Sequence, residues 1–286
     1  MHLFIYSMLA LFLFSSTPLR AASSPPVEQA PYILAVHPYL PATEIQQRFT
    51  PLAKYLGKIL DHPIVIRVGR DYDEHVNAIG TNKVDIAFMG PSPYVLMVAL
   101  HEKKPLLARI EIDGKPYLTG VIITRTGSPL HSLSELKGRR FAFGDKESTM
   151  SSLVPQFMLL EAGVPLAALS GHDYLGGHKN VALGVVTGDY DAGAVKQEVF
   201  TELAPRGLKI LANMPMVTEH AFVTRSDFPP ALIEKLRQGL LNLKTMPEGK
   251  AIMQSINKGM TGMVPVADSD YQSIRLMMQS LGTIKR

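Results

Sequence analysis

The sequence predicts an α/β protein with mixed sheets and helices on both sheet faces, divided into two domains. The chain has 286 residues, which is enough for two domains of ~100–200 residues each. It is 46% hydrophobic and 19% charged, the composition of a folded protein with a large core, and this excludes disordered, collagen-like and disulfide-scaffold classes. Short apolar runs also alternate with segments of helical periodicity, as they do when a helix connects successive strands.

The first half of the chain shows this alternation clearly. The apolar run Tyr32–Val36 predicts a first strand. Apolar residues then recur at spacings of four and three over 45–59, which predicts a helix that Pro51 should kink or split. The elements expected next are a strand at Ile64–Val68, a helix at 71–80, a strand at 85–89 and a helix at 94–101.

The second half predicts another α/β series. Strands are expected at Leu106–Ile112, 117–126, 141–143, 190–195, 208–211 and Ala221–Thr224, and helices at 149–162, 180–186, 231–241 and 268–281. The tail is therefore mostly helical, would lack a sheet of its own, and should pack back on the first domain. We expect a discontinuous domain of residues 30–124 plus 220–286 and a continuous domain of residues 125–219. The chain should cross between them near 122–126 and 216–220.

Charge, cysteine content and missing motifs narrow the function classes. The net charge is +4, and no dense Lys/Arg stripe with interleaved aromatics indicates nucleic-acid binding. Cysteine is absent, which excludes disulfides, thiolate catalysis, zinc ribbons and Fe–S clusters. The sequence has neither a Gly-x-Ser-x-Gly elbow nor a His-Glu-x-x-His pair. We therefore expect no enzyme activity, no metal and no cofactor.

Residues 1–22 predict a cleavable signal peptide. The apolar run from Leu3 to Phe14 is too short to span a bilayer but suits a signal sequence, and Ala21 and Ala22 suit cleavage. His2 stands where Lys or Arg is usual, and an uncleaved anchor or a buried terminal helix is the alternative. Without a cysteine for lipidation, the mature protein is expected in a periplasm.

Residues 144–155 carry the most informative chemical pattern, because hydroxyl groups cluster where a strand meets a helix. Ser148, Thr149, Ser151 and Ser152 place four hydroxyls within five positions. The first turn of a helix has N–H groups without intrahelical partners and a partial positive charge, so added hydroxyls make a site for a tetrahedral oxyanion. Simple N-capping by Ser148 is the structural alternative, and it needs only one hydroxyl.

Two more helix starts have a similar character. Gly90, Ser92 and Tyr94 belong to a glycine- and proline-containing turn after a predicted strand. His178 follows two glycines and could donate to an oxyanion, although a lone histidine is more often a surface or cap residue. Open α/β sheets bind ligands at the carboxyl ends of their strands, so these turns are candidate binding segments.

Taken together, the motifs closely resemble the periplasmic phosphate-, phosphite- and phosphonate-binding proteins of ABC transporters. The resemblance covers the mature chain and rests on His37-Pro38-Tyr39, 49–56, Asp71-Tyr72, 84–88, 90–94, 148–155, His178 and 191–194. It implies a two-lobed, type II periplasmic binding fold with a two-crossover hinge. It also implies a ligand clamped between the lobes and an ABC permease as partner.

The resemblance also implies roles for single residues. Tyr72 matches a tyrosine that bonds a phosphonate oxygen, Ser148 and Thr149 match the first hydroxyls of a Ser-Thr-Ser-Gly loop, and His178 matches the ligand histidine. In this sequence Met150 replaces the third hydroxyl of that loop. The complete set of expected ligand-binding residues is Tyr39, Tyr72, Met89, Gly90, Ser92, Tyr94, Ser148, Thr149, Ser151, His178 and His220.

Two departures from the family pattern bear on the ligand. Met89 stands where aminoalkylphosphonate binders can present a tyrosine, and His220 where they can place an aspartate that pairs with the ligand amine. A buried ligand cation needs a compensating acid, which His220 cannot supply. We expect a small phosphorus oxyanion without an amine: phosphite, an alkylphosphonate or phosphate. The clamp could serve import or, alternatively, a membrane-bound sensor kinase or cyclase, and the sequence leaves both open.

Overall fold

The structure is a computed structural model that describes residues 30–285. The expected signal peptide, residues 1–22, lies outside the described residues. Over the described range, no helix is both long and apolar enough to cross a membrane.

Strands and helices alternate along the described chain, as the sequence predicts. The strands are β1 (Tyr32–Val36), β2 (Ile64–Val68), β3 (Ile86–Met89), β4 (Leu106–Ile112), β5 (Tyr117–Leu118), β6 (Gly120–Arg125), β7 (Arg140–Phe143), β8 (Gly171–Tyr174), β9 (Ala192–Lys196), β10 (Leu208–Asn213), β11 (Val217–Thr218), β12 (Ala221–Thr224) and β13 (Met260–Val264). The α-helices are α1 (Ala42–Leu60), α2 (Tyr72–Gly80), α3 (Pro91–Leu100), α4 (Val154–Glu161), α5 (His178–Thr187), α6 (Gln197–Leu203), α7 (Pro230–Asn242), α8 (Gly249–Ile256) and α9 (Gln272–Ser280).

Two mixed sheets form the framework, and they share one strand pattern. The first sheet has the order β13-β4-β12-β3-β1-β2, and the second has the order β10-β6-β9-β7-β8. In the first sheet β2, β1 and β3 are parallel and β12 runs antiparallel to β3. In the second sheet β8, β7 and β9 are parallel and β6 runs antiparallel to β9. The carboxyl ends of three parallel strands therefore lie together at one edge of each sheet.

Helices cover both faces of each sheet. Because side chains on both faces of a strand are then buried, the strands are continuous apolar runs in the sequence. In β1, Leu34 and Val36 pack into a core with α1, α7 and α8, while Ala35 points to the opposite face. In β7, Phe141 and Phe143 pack toward α4, whereas Ala142 faces α5. This alternation follows from the two-residue period of a strand. The predicted fold class is confirmed.

The structure also differs from several sequence predictions. Helix α1 is one continuous helix with Pro51 inside it, so the predicted split is wrong. The buried residues Phe49, Leu52 and Leu56 on its inner face anchor it to the first sheet on both sides of the proline. Strands β8, β11 and β13 and helices α6 and α8 were not predicted. The tail has no sheet of its own and joins the first sheet through β12 and β13, as expected of a tail that packs back on the first part of the chain.

The chain crosses between the sheets twice. The first crossing lies between Ile112 and Gly120, instead of near 122–126, because residues 122–124 lie inside β6 and pair with strands on both sides. The return crossing runs from Asn213 to Ala221, and β5 and β11 pair the two crossings as a short ribbon. The division into domains at residue 124 stays a prediction, although residues 120–125 belong to the second sheet.

Candidate functional site

One small pocket collects residues from the carboxyl ends of strands in both sheets. Its lining residues are His37, Tyr39, Tyr72, Gly90, Pro93, Leu118, Ser148, Thr149, Met150, His178, Lys196 and His220. Most of them follow the strands β1, β2, β3, β7 and β8. The others are the last residue of β9, a residue just before β12, and a residue of β5, which lies in the first crossing between the sheets. The cavity volume is about 10 Å³, far below the ~300–1,000 Å³ of typical small-molecule sites. The pocket is therefore nearly closed in this arrangement of the two sheets, and only a small ligand suits it.

Ser148 is the hydroxyl whose orientation is most completely defined. It caps a π-helical turn, Thr149–Leu153, that leads into α4, and such turns are frequent at functional sites. The Ser148 Oγ accepts hydrogen bonds from the Ser151 Oγ at 2.8 Å and from the Ser151 backbone N–H at 3.4 Å. Because Oγ accepts from both groups, its own O–H is available to donate into the pocket.

Gly144 makes the close packing of this turn possible. A Cβ atom at Gly144 would lie 2.0 Å from the Ser151 Oγ and 3.0 Å from the Gly176 carbonyl oxygen. The backbone N–H of Gly144 donates to the Ser151 carbonyl at 2.9 Å. A glycine at this position therefore lets the loop after β7 fold against the turn and hold Ser148 at the pocket.

Thr149 links the hydroxyl-rich turn to the first sheet. Its Oγ1 accepts a hydrogen bond from the backbone N–H of Ser92 at 3.0 Å, one of the first-turn donors of α3 that have no intrahelical partner. Both residues are buried. Thr149 also lines the pocket, and its rotatable O–H remains available to donate there. This bond joins the helical turn that follows β7 in the second sheet to the start of α3, which follows β3 in the first sheet.

Two tyrosine hydroxyls and one ammonium group add hydrogen-bond donors. Burial is the first cause that raises the pKa of both Tyr39 and Tyr72 above the ordinary value, so both phenols keep their protons. The Lys196 Nζ lies 5.5 Å from the centroid of the Tyr39 ring. Lys196 brings a positive charge to the pocket, and no Asp or Glu is among the lining residues that the structure describes.

His178 presents a donor. Its Nδ1 accepts from the backbone N–H of Lys196 at 3.2 Å, so in the neutral ring the proton resides on Nε2. Burial and the nearby Lys196 lower the pKa of His178 to about 3. The ring is therefore neutral at pH 7, with Nε2–H as its donor.

His220 lies in a buried pair with Glu219. Its Nδ1 is 2.6 Å from the Glu219 Oε2, and its backbone N–H donates to the same oxygen at 2.7 Å. The His220 ring also stacks on His37, with centroids 5.3 Å apart, and on Phe88, with centroids 5.0 Å apart. The structure thus brings His220 to the pocket as predicted, and it places a buried acid, Glu219, behind the ring, which was not predicted.

Four predicted site residues do not line the pocket. The Tyr94 hydroxyl donates to Asp268 at 3.0 Å and the ring packs on Tyr271, because a helical turn after Gly90 directs it toward the C-terminal segment. The Met89 sulfur faces His75 at 3.0 Å, on the opposite side of the strand end. Ser92 contributes its backbone N–H to Thr149, and Ser151 supports Ser148. These four act, at most, through their neighbours.

Several lining residues were not predicted as ligand contacts. His37 follows β1 directly and belongs to the motif His37-Pro38-Tyr39, so its position after a strand was the available signal. Lys196 is the last residue of β9, which gives the same signal. Leu118 lies in a crossing strand, and Met150 replaces the third loop hydroxyl. Pro93 lies in the first turn of α3, and this position was the available signal for it.

Fold and pocket together define a class. Two mixed sheets that share one strand order, two crossings between them and a pocket at the strand ends are the features of a type II periplasmic binding protein. The sequence model of a family described as "ABC transporter, phosphonate, periplasmic substrate-binding protein" matches residues 34–271. The chain belongs to this family.

Individual relatives agree with this assignment. The phosphate-import protein PhnD of Mycolicibacterium smegmatis is 26% identical over 88% of this chain and 86% of its own. The probable ABC transporter phosphite binding protein PhnD1 of Prochlorococcus marinus is 25% identical over 97% of this chain and 99% of its own. A solved structure of PhnD1 from Prochlorococcus marinus in complex with methylphosphonate has a TM-score of 0.79 at 22% identity, covering 88% of this chain and 98% of that one.

Proposed function

We propose that this protein binds a small phosphorus oxyanion with an uncharged substituent (phosphite, methylphosphonate or phosphate) and delivers it to an ABC importer. The observation that carries this proposal is the convergence of Ser148 and Thr149 from the second sheet with Tyr72 and His220 from the first on one pocket. A ligand held there contacts both sheets, so its binding favours the arrangement in which they are close.

The pocket offers enough donors for micromolar binding. The O–H groups of Ser148, Thr149 and Tyr72, the Nε2–H of His178 and the ammonium of Lys196 surround one small space. Hydrogen bonds to a charged group contribute about 1.5–3 kcal/mol each. Four or five of them reach the ~8 kcal/mol of a micromolar affinity after ordering costs.

An apolar wall favours an uncharged fourth substituent. Pro93, Leu118 and Met150 line the pocket beside the hydroxyl groups, and Met150 and Leu118 are buried. A P–H or P–CH₃ group can lie against this wall without losing a hydrogen bond. The fourth oxygen of phosphate would lose solvent without gaining a polar partner there. Phosphite and methylphosphonate are therefore the preferred members of the class.

The charge distribution argues against a ligand amine. A buried ammonium needs a nearby carboxylate to offset its desolvation. The carboxylate behind the pocket, Glu219, already accepts from the backbone N–H and Nδ1 of His220. With Lys196 lining the same space, a ligand cation would be repelled.

Transport in a periplasm is the role that we propose. The family and the relatives described above are substrate-binding proteins of ABC transporters, which supports an ABC permease as partner and export of this chain by a signal peptide at residues 1–22. No observation favours the sensory alternative.

A thermal-shift and calorimetry screen tests the proposed function. The ligands are phosphite, methylphosphonate, phosphate, 2-aminoethylphosphonate and sulfate. At 100 times its dissociation constant, a ligand that binds the folded state should add about 2.7 kcal/mol to the free energy of unfolding. We expect phosphite and methylphosphonate to bind best. Micromolar binding of 2-aminoethylphosphonate, with no binding of the amine-free ligands, would overturn the proposal.

A further inference from the structure

The Glu219–His220 pair determines which nitrogen of His220 faces the ligand. The Glu219 Oε2 lies 2.6 Å from the His220 Nδ1, and both side chains are buried. An ionised carboxylate only accepts hydrogen bonds, so Nδ1 carries a proton. Burial comes first among the causes that lower the pKa of His220. The ring is then neutral, and Nε2 presents a lone pair beside Gly90, which lines the pocket.

His37 has the same arrangement. Its Nδ1 lies 3.1 Å from the Phe88 carbonyl oxygen, which can only accept, so Nδ1 is protonated and the neutral ring has its lone pair on Nε2. Burial, followed by the neighbouring His220, lowers the pKa of His37 well below its ordinary value. Of the three pocket histidines, His37 and His220 therefore present acceptors and only His178 presents a donor.

The acceptor on His220, which has a carboxylate behind it, sets a requirement on the ligand. Every oxygen of a fully ionised dianion is an acceptor, so a dianion cannot satisfy the lone pair of His220 Nε2. A proton shared between His220 Nε2 and a ligand oxygen gives both atoms a hydrogen-bond partner. The proton can belong to the phosphorus oxyanion or to an imidazolium that Glu219 stabilises. Glu219 favours such a proton because its negative charge lies directly against the ring.

The other titratable groups around His220 do not take over the role of Glu219 in favouring this proton. Lys196, at the end of β9, disfavours charge on His220, and Glu198, at the start of α6, favours it. His37 and His178 face it as neutral rings from the ends of β1 and β8. Glu219 therefore remains the group in direct contact that favours a proton on His220.

We propose that His220, held by Glu219, makes this site bind its oxyanion together with one proton, shared between His220 Nε2 and a ligand oxygen. The proton comes from the solvent or from the protonated ligand itself. The site would thereby select phosphorus oxyanions, which can be protonated near neutral pH, over sulfate, which stays a dianion. This inference rests on the proposed function.

Proton uptake by the wild-type protein is the primary test. Methylphosphonate is titrated calorimetrically at about pH 8.5, which is alkaline enough for the free ligand to be mainly a dianion, in two amine buffers of different ionisation enthalpy. We expect the binding enthalpies to differ by the heat of transferring one proton. Affinity should fall about tenfold per pH unit as pH rises further, by proton linkage. Sulfate should bind roughly 100-fold more weakly or worse, because a site built for a protonated oxygen rejects the analogue without one.

Variants assign the proton to His220. His220→Gln should abolish proton uptake and reduce the preference for methylphosphonate over sulfate at least tenfold, while Glu219→Gln should weaken methylphosphonate binding about tenfold or more. His172→Gln, the same change in β8 outside the pocket, should behave as wild type. Because the primary test needs no variant, it stands even if a variant fails to fold.

The outcomes separate this inference from the proposed function. Methylphosphonate binding with heats that do not depend on the buffer, or with equal affinity for sulfate, would overturn the proton-coupled mechanism and leave oxyanion binding intact. Proton uptake that persists unchanged in folded His220→Gln would overturn the assignment to His220. No binding of any phosphorus oxyanion would overturn the proposed function, and this inference with it.

Discussion

The Thr149 hydroxyl accepts a hydrogen bond from the backbone N–H of Ser92 at 3.0 Å, and this bond joins the helix starts that follow β7 and β3. Thr149 follows a strand of the second sheet, and Ser92 follows a strand of the first. One oxygen thus satisfies a first-turn N–H of α3 and places a hydroxyl donor at the pocket. Ligand binding and the contact between the sheets share this residue.

Replacing Thr149 with valine should affect both stability and binding. The Thr149→Val substitution keeps the shape of the side chain but leaves the buried Ser92 N–H without its partner. We expect the free energy of unfolding to fall by about 1–3 kcal/mol and oxyanion affinity to fall at least about tenfold. Chemical denaturation and calorimetry measure the two effects. Thr201→Val, at an exposed hydroxyl in α6, is the matched control, and equal behaviour of the two variants would contradict the role of this bond.

Ser148→Ala should act mainly on binding. It removes the hydroxyl whose proton is available to the ligand, and a hydrogen bond to a charged group contributes about 1.5–3 kcal/mol. We expect methylphosphonate affinity to fall by about 10–150-fold in calorimetric titrations. Ser152→Ala removes a neighbouring buried hydroxyl that bonds Gln156 and does not line the pocket, so it should keep most of the affinity. A larger loss for Ser152→Ala would place the binding hydroxyl elsewhere.

Gly144→Ala should disrupt the turn that holds Ser148. The added methyl would meet the Ser151 Oγ at 2.0 Å, so the buried turn must move, which typically costs about 1–3 kcal/mol. We expect a lower melting temperature together with a loss of ligand-induced stabilisation. Gly127→Ala has open space around the new methyl and should change neither quantity. A Gly144→Ala protein that melts and binds as wild type would show that this close approach has no role in the site.

Met150→Ser should change ligand preference. It replaces part of the apolar wall with a hydroxyl that can bond a fourth ligand oxygen. We therefore expect the ratio of phosphate affinity to methylphosphonate affinity to rise about tenfold, equivalent to about 1.4 kcal/mol. Competition calorimetry gives the ratio directly. Met216→Ser, at a side chain that is 62% exposed, is the control, and an unchanged ratio in Met150→Ser would mean that the ligand substituent does not face this wall.

Buried histidines should make the protein sensitive to acid. Burial lowers the pKa of His75 to about 4 and that of His178 to about 3, below the ordinary value of about 6.5. Between those values the unfolded histidines bind protons that the folded ones do not. The free energy of unfolding therefore falls as pH drops from about 6.5 toward 4, and it is insensitive to these groups above 6.5.

A single substitution tests this pH dependence. His75 alone should account for up to about 3 kcal/mol of the loss at pH 4, so His75→Gln should flatten the slope of stability against pH, whatever its effect at pH 7. Urea denaturation at several pH values measures the slope. His131→Gln, at an exposed position, should leave the slope unchanged, and a steep slope that persists in His75→Gln would show that other groups cause the acid sensitivity.

Local sequence patterns, together with the resemblance to the family, predicted the fold class and seven of the twelve residues that line the pocket. The strands Tyr32–Val36 and Ala221–Thr224 match the predicted bounds, because each is a short apolar run between clear breaks. Strand β13 was missed, since Met260–Val264 contains a glycine and pairs only with β4, a long-range partner. Seven of the eleven predicted ligand-binding residues line the pocket, and these follow strand ends or begin helices.

The residues that were missed or misplaced depend on contacts between distant segments. Tyr94 and Ser92 belong to a predicted binding turn, but whether a side chain there faces the ligand depends on how α3 lies against Asp268 and Thr149. Lys196 ends a strand like many others, and only the meeting of both sheets brings it beside Tyr39. The sequence of a single segment therefore does not predict which of its side chains reach the pocket.

What the order of residues specifies is local chemistry: which segments become helix starts, that Ser148 and Thr149 place hydroxyls at one of them, and that no cysteine is available. These properties depend on neighbours a few positions away, such as Gly144 and Ser151. The tertiary structure decided that Thr149 bonds Ser92, and that His220 faces the pocket with a lone pair. Both depend on hydrogen bonds whose geometry exists only once the two sheets are packed together.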